Sequence, residues 1–435
     1  YLISLKKIDI DSTNKQGEPI LSYACESGNL SLVKFIIQHN VIDLKLKNID
    51  GKNILFFAIE SNNLDLLKYL LLLDKIDINV KNNRGQTILH LACESNNAEL
   101  VKYLCGRRKI DLSVKDINNS NLLHYVCESG NLEIFKFLQS RSYFDLNEKN
   151  NYQQSILHLA CKSGRIDLVK YIIDLNMLDI INKDYYGRTI LHYANMSENH
   201  SLVKNLLDYL IKESKFDLNS ADSQRESIFH LICQNGYIDL VKSIVSLDKI
   251  KFNVLNNSMG TIIHSACESG NLELVQYLVS LKRIDISPKG HLVQTVLHSA
   301  CQSGNLKMVE YVISLNKIKV NAMNSQYNTA MHIACINDFI DIVKYLLSIP
   351  KININIQNED FETLLHIACS KNNSELIYLL LSNKDVDLSI RGKDNKSILH
   401  YACEIGDLEL VKLFISKDKN AIEIKDDNNK TVLHY

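Results

Sequence analysis

The sequence predicts an all-α solenoid of helix–turn–helix units with extended hairpin arms, running as a single array over residues 1–435. Three observations predict it. A histidine recurs at His90, His124, His158, His192, His230, His264, His298, His332, His366, His400 and His434, every step being 34 residues except one of 38. Each copy holds two apolar stripes of helical spacing with a Gly or Asn between them. After the second stripe the period drops to two, as in extended chain. A fixed period of this length marks a stack in which each unit needs its neighbours to cover its apolar faces.

The stretch from Thr261 to Ser287 shows each element. Ile263, Ala266, Cys267 and Gly270 fall on one stripe of a first helix. Gly270 can take the left-handed conformation that ends it. Asn271 then caps a second helix, with Glu273 in the first turn where negative charge is favoured. That helix is expected to bury Leu272, Leu274, Val275, Leu278 and Val279. Ile284-Asp285-Ile286 leaves it as an extended arm.

Residues 1–18 read as the end of a partial repeat. Twelve complete repeats fill 19–430, opening at Pro19, Asn53, Thr87, Asn121, Ser155, Thr189, Ser227, Thr261, Thr295, Thr329, Thr363 and Ser397. A further repeat opens at Thr431 and covers 431–435, so the chain is read as a piece of a longer protein. One repeat, 189–226, is long: four extra residues lie within Leu206–Phe216, close to one helical turn of about 3.6 residues. Its second helix should lengthen by a turn with its buried face nearly in phase. The same repeat has Asn195 for Cys, Glu198 for Gly and His200 for Leu or Ile, which marks it as the weak joint. Elsewhere Asn62, Asn96 and Asn372 stand in for the helix-ending Gly; Asp338 fits that place less well and Glu198 not at all.

Net charge is −1 with both signs mixed, which gives no bias toward nucleic acid or anionic membrane. Apolar runs such as Ile54 to Ile59 fall far short of the roughly 18 residues that span a bilayer. The eleven cysteines are periodic in a long chain, a pattern of core thiols in a reducing compartment rather than of disulfides. A cytoplasmic or otherwise intracellular location is expected, with no membrane insertion by this segment.

The opening Thr87-Ile-Leu-His-Leu-Ala-Cys93 resembles the ankyrin-repeat opening Gly-x-Thr-Pro-Leu-His-x-Ala-Ala, and twelve copies in register extend the likeness over essentially the whole chain. There are departures. Ile or Leu usually replaces Pro, and Cys replaces the second small Ala. Lys75 to Asn79 is one residue longer than the usual Gly-Ala-Asp-Val-Asn, which accounts for a period of 34. Tetratricopeptide repeats share that period but lack the arm and the Thr-x-x-His opening. The resemblance implies a monomeric, non-catalytic scaffold that binds other proteins and needs no cofactor. The alternative is that the array regulates or tethers a larger membrane channel or enzyme.

Neighbouring units stack about 8–10 Å apart, whereas ligands sharing a zinc ion sit about 2 Å from it, so the histidines do not share a metal. By resemblance each ties its turn to the preceding Thr, as Thr87 with His90 and Thr261 with His264. Ten cysteines sit three residues after the histidine position, on the inward stripe. Cys105 lies off the ladder near Arg107 and Arg108, whose charge would lower its pKa, but an inert surface or core thiol is the favoured reading. Lysines on the second helices follow an acid by three residues, as in Asp65–Lys68, Glu99–Lys102, Glu133–Lys136 and Glu409–Lys412, and read as intrahelical pairs on a solvated face.

Two features point to partners. Glu26, Glu60, Glu94 and Glu128, followed later by Glu268 and Glu404, lie by resemblance on the concave face, where they would meet a basic or mixed partner or merely solvate it. Tips of the arms are polar in most units but carry Tyr152, Tyr185 and Tyr186 in one group and Leu292, Val293, Tyr327 and Phe361 in another. Exposed aromatic clusters anchor interfaces; rings folded back over neighbouring tips are the other reading. No P-loop, nucleophile elbow, metalloprotease helix or dinucleotide fingerprint is present.

Overall fold

The computed structural model describes residues 12–39, 43–141, 144–213, 217–286 and 294–435. It divides into two compact bodies, Tyr1–Asp217 and Leu218–Tyr435, each described by itself below. Among the described residues there are twenty-four α-helices and no named strand. They form twelve pairs, with a first helix of seven or eight residues and a second of eight to ten, except for one of fourteen.

Every opening residue read from the sequence is the N-cap of a first helix, from Pro19 through Ser397. Thr, Ser and Asn suit that place because a side-chain oxygen can meet the unpaired amides of the first turn. At the other end Gly270 has φ +70°, which an L side chain adopts only at a cost. Asn271 follows as the next cap, its side chain accepting from Leu274 N at 3.1 Å. Its amide also donates to Gly236 O of the preceding unit at 2.9 Å, so one Asn both starts a helix and ties two units. Asp338 and Glu198 occupy the Gly270 position with φ +56° as well, so Glu198 adopts the conformation it was not expected to reach.

The first helices are not amphipathic. In Ile262–Glu268 the stripe residues Ile263, Ala266 and Cys267 are buried, but so are Ile262, His264 and Ser265. This helix is flanked on both sides by its counterparts, Ile228–Gln234 and Val296–Gln302, which leaves almost no face for water. The second helices do show one buried face. Leu274, Val275 and Leu278 are buried, whereas Leu272 and Val279 are only half-buried.

The arms are turns rather than strands, with isolated bridges such as Ala221–Ser227 and Met323–Thr329. Side chains make the bonds that a ladder would have made. Asn79 donates to Lys109 O at 2.7 Å and accepts from Asp111 N at 2.9 Å in the next arm. Asn253, Asn321 and Asn355 repeat this clamp. At most described tips an Asn or Asp accepts from two later amides, as Asn82 does from Arg84 N and Gln86 N. Within each body several successive tips share a backbone bond, such as Asn83 N to Asp50 O at 2.8 Å and Tyr185 N to Tyr152 O at 2.8 Å.

The long repeat gains its turn where the spacing placed it. Helix His200–Glu213 buries Leu202, Val203, Leu206, Leu207 and Leu210, one continuous stripe. His200 is half-buried, like Leu272 at the equivalent place, so it does not replace a buried apolar residue as expected. The oddities that remain are Glu198 in a left-handed conformation and Asn195 buried where a Cys stands elsewhere.

Candidate functional site

The histidine ladder forms a set of clamps inside the core. Thr261 N donates to His264 Nδ1 at 3.1 Å, and the same contact recurs in the other units from Thr87–His90 onward. Because Nδ1 accepts, the proton sits on Nε2. In several units that proton reaches the next arm, as from His264 to Gln294 O at 3.0 Å and from His298 to Asn328 O at 2.9 Å. Burial lowers the pKa of His90, His158, His264, His332 and His366 to about 4. These rings hold turns and are closed to solvent. Among the described residues no group of three or more His, Cys, Asp or Glu side chains is arranged to hold a metal ion.

All eleven thiols are free, and only Cys403 is less than fully buried. Cys105 is buried too, and desolvation raises its pKa to about 11 against the opposing pull of Arg141. The inert core thiol is therefore the reading that holds, since burial outweighs the nearby charge. The lysine ladder is also partly corrected. Lys68 and Lys412 pair within their helices with Asp65 and Glu409. Lys102 instead reaches Glu133 of the next unit, and Lys242 reaches Glu273. Lys136 lies over the Tyr171 ring at 4.6 Å. A neighbouring unit is as close to these lysines as their own helical turn, which sequence separation hides.

In the amino-terminal body the two expected partner features meet. A groove of about 530 Å³ is lined by Glu94, Glu128 and Lys162 from the first helices and by Arg84 and Tyr152 from the tips. A second groove of about 380 Å³ adds Glu60, Lys52 and Asp50, and shares Arg84, Gln86 and Glu94 with the first. The acids are not equivalent. Glu60 pairs with Lys52, and Glu128 with Lys162 at 2.7 Å. Glu94 has no such pair among the described residues, and its pKa is raised by burial, then by repulsion from Glu128. Glu26 is exposed and lines neither groove. Tyr185 is 72% exposed and stands edge-on to Tyr186 at 5.4 Å, so the pair is not folded away over a neighbouring tip.

The carboxy-terminal body differs. Leu292 and Val293 lie outside the described residues. Tyr327 and Phe361 are exposed, Phe361 by 65%, and both have left-handed backbones, φ +57° and +62°. Their place in the tip turn is that of Gly51, Gly85 and Gly187, where a bulky residue is an outlier. Met259 sits in the same row with φ +60° and is exposed, a member that sequence reasoning missed although its register with Gly85 would have revealed it. The groove beside these tips, about 340 Å³, presents Ile336 and Ser370 where the other body presents Glu.

This stacking of capped helix pairs behind a row of turned arms agrees with comparison to known families. A model of ankyrin repeats in three copies matches residues 1–82, 71–150, 123–217, 205–290, 284–360 and 365–435. The chain belongs to the ankyrin-repeat family. Arrays of this family are generally protein–protein interaction modules and typically non-catalytic. No curated protein matches the ankyrin-repeat chain. Among its described residues no helix is long and apolar enough to cross a membrane.

Proposed function

We propose that the chain is a non-catalytic scaffold, a single monomeric array that binds partner proteins through its arm tips and inner groove. The observation that carries this reading is the convergence of Tyr152 with Glu94 and Glu128 on one groove, next to the exposed Tyr185–Tyr186 pair. Tyr combines a broad apolar face with a hydroxyl and is enriched among residues that dominate binding energy. Glu94, whose pKa is raised and which has no ion pair among the described residues, is open to a cation from a partner. Eleven free thiols support a reducing, intracellular setting.

A pull-down tests this with the parent, a Tyr185→Ser/Tyr186→Ser variant and a Tyr327→Ser/Phe361→Ser variant, each checked for unchanged melting. At least one variant should lose a protein that the parent retains. Retention by both would remove the tips from the site and leave the glutamates of the groove.

A further inference from the structure

A separate groove of about 840 Å³ lies in the amino-terminal body between the ends of second helices and the arm bases, and it shares no lining residue with the inner groove. Its apolar wall is made by Leu71, Ile76, Ile78 and Val80, and Leu72 stands 74% exposed at its edge. Around this wall are Lys45, Lys47, Lys75, Arg107, Arg108 and Lys109, against the carboxylates of Asp74 and Asp77 alone.

Several of these charges are already engaged. Lys109 pairs with Asp74 at 2.9 Å, Lys47 donates to Lys81 O at 3.2 Å, and Arg107 lies 4.6 Å over the Tyr103 ring. Asp77 accepts from Asn79 N at 3.0 Å. Lys45, Lys75 and Arg108 are exposed and have no carboxylate partner among the described residues. An excess of cations thus surrounds an aliphatic wall on a chain whose net charge is −1.

We infer that this groove docks an acidic peptide segment of another protein, one that places a large apolar side chain against Leu72 and Ile76. Charge complementarity selects the acid and fixes the register, and the aliphatic wall supplies the anchor. The wall offers no aromatic platform of the kind that stacks bases, which disfavours single-stranded nucleic acid. The inference concerns a different face from the tips, so the two readings stand or fall separately.

The test selects random dodecapeptides on the full chain after depletion on a Lys75→Glu/Arg108→Glu variant. Enriched peptides should be rich in Asp and Glu and contain Leu, Ile or Phe. Their dissociation constants should rise at least tenfold on Lys75→Glu/Arg108→Glu and at least threefold on Leu72→Asn. They should not change on Tyr185→Ser/Tyr186→Ser. All of these residues are exposed, and each variant is checked for unchanged melting. The inference is overturned if no peptide discriminates parent from charge variant, or if the selected peptides lack an acidic excess. It is also overturned if phosphatidylserine vesicles bind the parent through the same residues while no peptide does, which would assign the groove to lipid.

Discussion

Gly85 and Phe361 occupy the same step of the tip turn, one in each body, with φ +72° and +62°. The amino-terminal body keeps glycine at this step in the tips of Gly51, Gly85 and Gly187, and puts its aromatic rings on neighbouring steps, at Tyr152, Tyr185 and Tyr186. The carboxy-terminal body puts Met259, Tyr327 and Phe361 on the left-handed step itself. An L side chain there costs roughly 1–2 kcal/mol. Both bodies therefore expose rings at their tips, but in the carboxy-terminal body the large side chains themselves take the strained step, whereas beside Tyr152 it is Gln153, φ +58°, that takes it. Both grooves behind the tips carry charged side chains, but the first helices contribute Glu94 and Glu128 to the one and Ile336 and Ser370 to the other. The two patches thus differ in the residues they present.

What the bodies share sets the baseline for that comparison and gives the largest expected effect. His90 and His158 in one body, and His264, His332 and His366 in the other, have pKa values lowered to about 4 by burial. An unfolded histidine titrates near 6.5. Between those values the unfolded chain binds more protons, so stability is intact above pH about 6.5 and is lost as pH falls toward 4. Protonation also removes the Nδ1 acceptor that each N-cap amide uses. Each of these histidines should cost about 2 kcal/mol by pH 5, and denaturant titrations from pH 7 to pH 4.5 should show a steep loss. A flat profile over that range would mean that the rings are charged or open in the folded state.

The next effect exchanges the two tip types. A Cβ on Gly85 would lie 2.8 Å from Ile117 N, so Gly85→Phe adds a backbone clash to the left-handed cost. It should destabilise by about 2–3 kcal/mol, read from the denaturation midpoint. A loss below about 0.5 kcal/mol would show that the tips interchange freely, and the contrast between the bodies would collapse.

The sequence register placed the first-helix N-caps from Thr87 onward because Thr, Ser and Asn recur with a His three residues on, and the 34-residue period extended them back to Asn53 and Pro19. Burial of Ile262 and Ser265 was not legible: a stripe read along one helix takes no account of helices flanking it on both sides. Lys102 was assigned to Glu99 by proximity in sequence, but stacking brings Glu133 as near. The Asn79 clamp spans 30 residues and leaves no periodic apolar signature. Tyr152 and Glu128 were each noticed, but their meeting in one groove depends on how far the arm turns back over the first helices. Strain at Tyr327 and Phe361 was hidden because residue type, rather than register with Gly85, ordinarily signals a left-handed turn.

A smaller effect separates two helix ends. Glu198 and Gly270 end the first helices of their units in left-handed conformations, φ +56° and +70°. The glutamate should make helix Ile190–Met196 open about 1 kcal/mol more easily than Ile262–Glu268. Native-state hydrogen exchange reads this directly. Equal protection of the two helices would show that contacts of Glu198 offset its backbone cost.

The central claim is that rings on the strained tips are held for partners and not for folding. Denaturant unfolding of Phe361→Gly tests it most directly. Relief of the left-handed strain, set against the greater freedom of glycine in the unfolded chain, should leave the variant about 0.5 kcal/mol more stable than the parent. A loss of about 1 kcal/mol or more would contradict the account, because the ring would then be packing for the fold.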